Sequence, residues 1–201
     1  MNKTIFKHFG LEGRGFWRDQ DFNQLVKDIA AEVAERKLVA ISGAWGQGKS
    51  TLFKQVRKAM QVPGKEPLIV RVASEEKENL RIGTIMSAVV MDISQESPRR
   101  DTEARTRQVV RLIGERAVTE KRTVMVYIDN AHRLHVNTIR AIKDFMENEF
   151  AGVSPLFSVV LVGQEPLKTK INRYGEVRCR TSSYELNEAN GWMTFQKRVE
   201  S

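Results

Sequence analysis

The feature that most constrains this chain is a glycine-rich motif at residues 43–50. It is Gly-Ala-Trp-Gly-Gln-Gly-Lys-Ser and fits G-x-x-x-x-G-K-[ST], the pattern of a phosphate-binding loop. Glycines let backbone N–H groups turn towards anionic oxygens, the lysine reaches the outer phosphates, and the serine hydroxyl is placed to ligate Mg²⁺. The residues predicted to bind nucleotide are Gly43, Ala44, Trp45, Gly46, Gln47, Gly48, Lys49, Ser50 and Thr51.

The residues on both sides of this motif supply the context that it requires. The apolar run at 38–41 suits a buried parallel strand. After the motif, Leu52, Phe53 and Val56 lie at helical spacing. Strand, loop and helix in this order bring the positive end of a helix to the phosphates. This context favours a true phosphate site over a chance glycine-rich turn.

A second diagnostic stretch, residues 123–129, is apolar and ends in an acid. It predicts a central strand that brings Asp129 to the carboxyl edge of a parallel sheet, where ligands of open α/β sheets gather. Asp129 and Ser50 would then hold Mg²⁺ beside the phosphates, so the sequence predicts a site for ATP and Mg²⁺.

The next residue bears on catalysis. Many P-loop ATPases place Glu here to orient or deprotonate water, whereas this chain has Asn130, a neutral amide that cannot act as a base. Asn can still position water by hydrogen bonding, so slow hydrolysis is expected. His132 and His135 follow, and two roles stay open for them: assisting with the water, or serving as surface or supporting side chains.

Gln164 ends a later apolar strand. It is either a polar contact to the γ-phosphate or attacking water, or simply a strand-end turn. The hydrophobic patterns predict an α/β domain with a mainly parallel five-stranded sheet. The predicted strands are 38–41, 68–72, 123–129, 156–164 and 182–186, and the predicted helices are 19–36, 49–60, 79–96, 101–120, 136–150, 165–171 and from 187 onward.

The balance of charge suggests a polyanionic partner. The net charge is +8 and the pI is about 9.7, which a nucleotide alone does not need. Flexible cations near element ends can follow a DNA backbone without reading bases, although a merely solvated basic surface is the competing interpretation. The candidate DNA contacts are Lys77, Arg81, Arg99, Arg100 and Arg105.

Sequence features also indicate the compartment. No apolar run is long enough to span a bilayer, and the N-terminus lacks the apolar core of a secretory signal. A lone cysteine, Cys179, excludes an internal disulfide and is compatible with a reducing environment. A cytoplasmic protein with no membrane partner is therefore expected.

Three segments together resemble a known family. They are the phosphate loop, Ile-Asp-Asn-Ala-His-Arg-Leu at 128–134 and Leu-Val-Gly-Gln-Glu-Pro-Leu at 161–167. They are similar to the AAA+ ATPases that regulate DNA transposition, of the TnsC, TniB and Mu B type, and to their ExeA-like relatives. The segment Phe-Lys-His-Phe-Gly-Leu at 6–11 is also similar to the start of these proteins.

The resemblance implies a P-loop NTPase fold of AAA+ type, a three-layer sandwich. It also implies an ATP-dependent homo-oligomer, a ring or helical filament, that wraps duplex DNA and presents it to a transposase. Gln164 would take the sensor-1 position, and Arg178 or Arg180 would be an arginine finger that reaches a neighbouring subunit's ATP. The catalytic set so implied is Lys49, Asp129, Asn130, Gln164, Arg178 and Arg180.

The domain organisation follows from the same resemblance. We expect an N-terminal arm over 1–18, the nucleotide-binding domain over 19–187, and at 188–201 the start of a truncated or minimal lid helix. The C-terminal helical lid usual in AAA+ proteins is thus expected to be absent or truncated.

Two other functions remain open at this stage. One is an ExeA-like accessory ATPase that assembles an envelope or secretion complex. The other is a nucleotide-sensing interaction module without significant hydrolysis, which Asn130 permits. DNA-dependent oligomerisation would separate the transposition regulator from both.

Overall fold

The computed structural model describes residues 16–17, 19–72, 78, 80–189 and 192–198. Within these ranges, seven strands form one sheet. They are β1 (Phe16–Trp17), β2 (Leu38–Ser42), β3 (Leu68–Arg71), β4 (Val124–Ile128), β5 (Ser158–Gly163), β6 (Thr181–Ala189) and β7 (Trp192–Arg198).

The helices lie between these strands, and in the described part of the chain no helix is both long and apolar enough to cross a bilayer. A π-helical turn, Glu115–Thr119, continues the fourth helix, and a short 3₁₀ turn, Ala131–Arg133, follows β4. The helices are α1 (Asp19–Ala34), α2 (Lys49–Ala59), α3 (Ile82–Ile93), α4 (Thr102–Gly114), α5 (Val136–Met146), α6 (Pro166–Asn172) and α7 (Gly175–Arg178).

The strand order is β1-β7-β6-β2-β5-β4-β3, and the five strands from β6 to β3 run parallel. This confirms the predicted five-stranded parallel arrangement, with element ends shifted by a few residues. Ser42 at the end of β2 pairs in register with Gly163 at the end of β5. Ile128 at the end of β4 pairs with Leu161. The carboxyl ends of the three central strands therefore lie at nearly one level.

The sheet is buried on both faces, as expected when helices cover a parallel sheet. Successive residues of a strand point to opposite faces, so each strand contributes to two apolar layers. In β4, Met125 and Tyr127 pack with α1 and α2, whereas Val126 and Ile128 pack with α3, α4 and α5. The Tyr127 ring also stacks on Phe53 of α2 at 3.8 Å between centroids. The predicted three-layer sandwich is thus confirmed.

The C-terminal part corrects one expectation. The helix predicted from 187 onward, and with it the lid helix expected at 188–201, is wrong over Trp192–Arg198, which is strand β7. β7 runs antiparallel to β6, and the Phe195 ring lies 6.4 Å from that of Tyr184. The physical reason is that an exposed edge of β6 gains a ladder of backbone hydrogen bonds by pairing, which an isolated amphipathic turn does not offer.

The N-terminal arm expected over 1–18 is described only in part. Residues 16–17 form the short strand β1, which pairs parallel with the start of β7. The sequence predicted an arm without regular secondary structure here, so the strand at residues 16–17 differs from that prediction. The remaining residues of that prediction lie outside the described part of the chain.

A buried carboxylate ties the β6–β7 hairpin to α1. Glu32 is only 5% exposed and accepts hydrogen bonds from Lys197 Nζ at 2.7 Å, Lys37 Nζ at 2.9 Å and Ser182 Oγ at 2.9 Å. Burial acts to raise the pKa of Glu32, but these three partners outweigh it and lower the pKa below its ordinary value. One charged group therefore holds together a helix and two strands.

Candidate nucleotide-binding site

The phosphate loop joins β2 to α2 at the carboxyl edge of the sheet. Gly48 caps α2 with φ of 79°, a left-handed conformation that glycine adopts without steric cost. Gly43 N–H donates to the carbonyl of Gly163 at 3.2 Å, which fixes the start of the loop to the end of β5. A glycine-rich loop that leads into a helix N-terminus is the arrangement in which backbone N–H groups bind a phosphate group, so this part of the fold suits such a ligand.

Lys49 extends along the inside of this loop. Its Nζ donates to the carbonyl oxygens of Gly43 at 2.7 Å and Ala44 at 2.6 Å. Burial lowers the pKa of Lys49, and the negative charge of Asp129 opposes that shift only in part. The ammonium group is thus held partly desolvated and incompletely compensated. Anionic phosphate oxygens would supply the missing compensation.

Two other loop side chains have contrasting positions. Gln47 Oε1 accepts a hydrogen bond from the Ala44 N–H at 2.6 Å and so closes the loop on itself. Trp45 is 79% exposed, which is unusual for a large apolar side chain. The indole is therefore a solvent-exposed fluorophore on the phosphate loop itself.

Asp129 follows directly after β4, and its exposed carboxylate lies at the same edge as the loop. Its Oδ1 accepts from the backbone N–H of Asn130 at 2.8 Å. Asn130 is exposed, and its backbone adopts the left-handed conformation, with φ of 52°. Ser50, also exposed, lies in the first turn of α2. A carboxylate and a hydroxyl are oxygen ligands of the kind Mg²⁺ takes when phosphates and water complete its shell, so the residues present fit the predicted ion.

Gln164 follows directly after β5, at the same edge of the sheet as Asp129. Its backbone N–H donates to Nδ1 of His132 at 3.3 Å, and its side chain is half-buried. Gln164 is therefore close to the loop that follows Asp129.

Arg178 and Arg180 come directly before β6, at the opposite, amino-terminal edge of the sheet. Both side chains are exposed, and Arg180 Nη2 lies 3.6 Å from a carboxylate oxygen of Glu147. A cavity of about 400 Å³ opens beside Arg180 and is lined in part by Leu38 and Pro155. The Arg180 side chain is thus placed on a different side of the molecule from the phosphate loop, whereas Arg178 lines a small pocket together with Ser42, the last residue of β2.

Arg105, one of the predicted DNA-contacting residues, holds together the segments that carry the other predicted arginines. Arg105 is half-buried and donates from Nη1 to the Gly83 carbonyl at 3.1 Å, from Nε to the Arg99 carbonyl at 2.7 Å and from Nη2 to the Arg100 carbonyl at 3.0 Å. It thereby joins the start of α3 to the start of α4. The side chains of Arg81, Arg99 and Arg100 are exposed around it.

We call Arg81, Arg99, Arg100 and Arg105 the arginine cluster. The amino ends of two helices add partial positive charge to this surface. Lys77, the fifth candidate, lies outside the described residues. Arg105 is engaged with backbone carbonyls, so its first role is structural, whereas the other three point to solvent.

Comparison with known proteins agrees with this fold. The sequence model of the AAA domain family matches residues 32–171, and the chain belongs to this family of P-loop ATPase domains. The matched region runs from the end of α1 to the end of α6 and includes the phosphate loop, Asp129 and Gln164. No curated protein matches the chain closely enough in sequence to count as a relative.

Several solved structures have the same fold. Cdc6p from Pyrobaculum aerophilum superposes with a TM-score of 0.58 at 14% identity, covering 91% of this chain and 49% of that one. The Aeropyrum pernix ORC2 protein, solved as ADPNP–ADP complexes, gives 0.61 at 14% identity, covering 87% and 49%. A chain of Drosophila ORC bound to DNA gives 0.55 at 11% identity, covering 83% and 89%. This chain therefore spans about half the length of the two archaeal proteins.

Some residues of the site were not found from the sequence as parts of it. Lys170 Nζ donates to the carbonyl oxygens of His132 at 2.5 Å and Leu134 at 2.8 Å, so α6 holds the loop after β4. The sequence left His132 without an assigned role, and its contact to Gln164 joins the two loops. Proximity of His132 to Asp129 in the sequence was the one available signal.

Proposed function

We propose that this chain is an ATP-dependent, DNA-binding AAA+ regulator of DNA transposition. It assembles on duplex DNA in the ATP-bound state, hydrolyses ATP slowly, and presents the DNA to a transposase. The observation that carries the proposal is the arginine cluster, an exposed basic surface that lies beside the loop following Asp129.

The two sites are joined by short contacts. Arg133 pairs with Glu78 at 3.4 Å, and the Thr138 hydroxyl donates to the Leu80 carbonyl at 2.8 Å. Leu80 immediately precedes Arg81. The loop after Asp129 and the α5 helix that follows it thus contact the residues just before α3, and in this proposal these contacts couple the nucleotide state to DNA binding.

Each predicted residue takes a specific role in this proposal. Lys49 and the loop amides bind the phosphates, while Ser50 and Asp129 orient Mg²⁺. Asn130 and Gln164 position water by hydrogen bonding, and without a carboxylate base at residue 130 turnover is slow. Bound ATP supplies the phosphoanhydride bond whose hydrolysis returns the protein to its unassembled state.

Self-association follows from the position of the arginines before β6. Arg180 lies at the edge of the sheet opposite the phosphate loop, so a head-to-tail neighbour would bring it to the ATP of the next subunit, and Arg178 is the alternative arginine finger. A heterologous contact of this kind produces a ring when it closes and a helical filament when it does not. Duplex DNA then contacts the arginine clusters of successive subunits.

The proposal is tested by fluorescence anisotropy of a labelled random-sequence duplex, titrated with protein in ATP, in ADP and without nucleotide at several salt concentrations. We expect cooperative binding with ATP alone, with log K falling by about 0.9 per decade of salt for each phosphate contacted. Equal binding in all three nucleotide states would contradict gating. Absence of binding would leave a nucleotide-sensing module. A strand-transfer assay with a transposase then tests the transposition role.

A further inference from the structure

We infer that His132 is a positioning residue that couples the loop after Asp129 to Gln164. The loop and Gln164 then respond together to the outer phosphate of the nucleotide. This inference rests on the proposed function, since it assigns the coupling within the proposed ATP site. The observation behind it is the set of contacts made by the coupling loop, residues 131–134.

The first contact is between the imidazole and the sensor-1 position. The backbone N–H of Gln164 donates to Nδ1 of His132, so Nδ1 is an acceptor and a neutral ring carries its proton on Nε2. Burial, with the positive charges of Lys170, Arg133 and Lys49, lowers the pKa of His132. A ring that stays neutral keeps its acceptor, and the contact persists at neutral pH.

The second contact is between the two backbones. A Cβ at Gly163 would lie 2.8 Å from the backbone nitrogen of His132 and 3.2 Å from its Cβ and Nδ1. Contacts this close allow only hydrogen at residue 163. The end of β5 and the coupling loop therefore touch directly, and a larger side chain would push them apart.

The third contact fixes the loop from α6. Lys170 donates to the carbonyl oxygens of His132 and Leu134, and the side chains of Ala131 and Leu134 are fully buried. Lys170 and the buried side chains thus fix the position of the coupling loop. Asp129 lies two residues before it, and Arg133 contacts Glu78, near the start of α3.

Asn130 gives this coupling a particular importance. The usual carboxylate base is replaced by an amide, so the attacking water must be oriented by the geometry of hydrogen-bonding groups and not by a base. An imidazole that fixes Gln164 relative to Asp129 supplies that geometry. His132 itself need not touch the nucleotide.

The test compares His132→Ala with His132→Asn. The Asn side-chain oxygen lies about where Nδ1 lies and can accept from the Gln164 N–H, whereas Ala cannot. Affinities for ATP and ADP are measured by competition against a fluorescent nucleotide, and kcat and KM by phosphate release. We expect His132→Ala to reduce the ATP preference about tenfold and kcat about tenfold with KM within about twofold, and His132→Asn to restore most of both.

The matched control is His135→Ala. His135 also accepts a backbone hydrogen bond at Nδ1, from Asn137 at 3.2 Å, but it caps α5 and lies outside the coupling loop. Its replacement should leave the ATP preference unchanged. Gly163→Ala should reproduce the His132→Ala defect by forcing the same contact apart, and Lys170→Met provides a further variant if His132→Ala does not fold.

The outcomes distinguish a failure of the proposed function from a failure of the coupling through His132 alone. A wild-type protein that binds ATP and ADP equally would overturn the proposed function. A wild-type preference for ATP that survives in both His132→Ala and Gly163→Ala would overturn only the coupling. Equal defects in His132→Ala and His132→Asn would also overturn it, because the acceptor would then be irrelevant.

Discussion

Lys49 and Glu32 are both charged side chains that are at least partly buried. The fold compensates the charge of Glu32 fully and the charge of Lys49 only in part. Glu32 is almost fully buried and has three hydrogen-bond donors, two of them cationic, so its pKa falls below the ordinary value. Lys49 has two carbonyl partners and a distant carboxylate, and its pKa also falls, which for an ammonium means that its charge is destabilised. One charge is satisfied by the fold, and the other is not.

The difference separates a structural charge from a functional one. A buried ion contributes to stability only when its partners offset the cost of desolvation. A site that must bind an anion is expected to leave a cation incompletely compensated and to accept the loss of stability. The arginine cluster repeats the contrast, since Arg105 is satisfied by three carbonyls while Arg99 and Arg100 are exposed.

The largest expected effect is that of Lys49→Ala. Removing the cation should weaken ATP binding by at least about a hundredfold, because two charge-assisted contacts to phosphate are lost. The unliganded protein should keep its thermal midpoint, since a poorly compensated charge is also removed. Isothermal titration and thermal unfolding check both parts. Loss of nucleotide binding together with unfolding would mean that Lys49 is structural.

The next largest effect concerns the arginine cluster. Arg99→Glu with Arg100→Glu should weaken duplex binding about ten- to a hundredfold and reduce the salt slope by about two, because two phosphate contacts are lost. The charge-matched control reverses Arg57 and Lys58, exposed residues of α2. Anisotropy titrations at several salt concentrations distinguish the pairs, and identical slopes would place the DNA surface elsewhere.

A smaller effect, on stability alone, is expected for Glu32→Gln. The loss of charge-assisted hydrogen bonds in a buried position should cost about 1–3 kcal/mol of unfolding free energy, measured with urea. Nucleotide affinity should be unchanged. Glu35→Gln is the matched control, since Glu35 pairs with the same Lys37 from a 61% exposed position and should cost less than about 0.5 kcal/mol. Equal losses of unfolding free energy in the two variants would contradict the structural role assigned to Glu32.

The smallest expected effect is the pH dependence of the unfolding free energy that Glu32 contributes. The folded-state pKa of Glu32 lies below its ordinary value of 4.5, so its stabilisation is fully present above pH 4.5 and is lost as the pH falls through the folded-state value. Wild type should therefore lose more unfolding free energy than Glu32→Gln between pH 7 and strongly acidic pH. Parallel pH profiles of the two proteins would show that Glu32 is not the group responsible.

The sequence predicted the centre of the fold because its signals are local. Residues 38–53 contain strand, loop and helix in one continuous pattern, and the apolar run ending in Asp129 is equally self-contained. Parallel pairing then leaves few arrangements that bring both to one edge. The five-stranded sheet and the placement of Gln164 follow from this.

The parts that could not be predicted depend on contacts between distant residues. The contact of His132 with Gln164 joins residues 32 positions apart and depends on strand register. The gathering of the arginine cluster depends on the parallel packing of α3 and α4. Strand β7 was missed although the sequence between β6 and β7 is Asn-Gly, the dipeptide most typical of two-residue hairpins.

The measurement that tests the account most directly is the mass of the species formed on a long random-sequence duplex, determined by mass photometry in ATP and in ADP. The account expects assemblies of several subunits per duplex with ATP, free monomer with ADP, and no assembly by Lys49→Ala under either condition. Monomers in ATP, or assemblies of the same mass in ADP, would contradict a nucleotide-gated DNA-binding assembly.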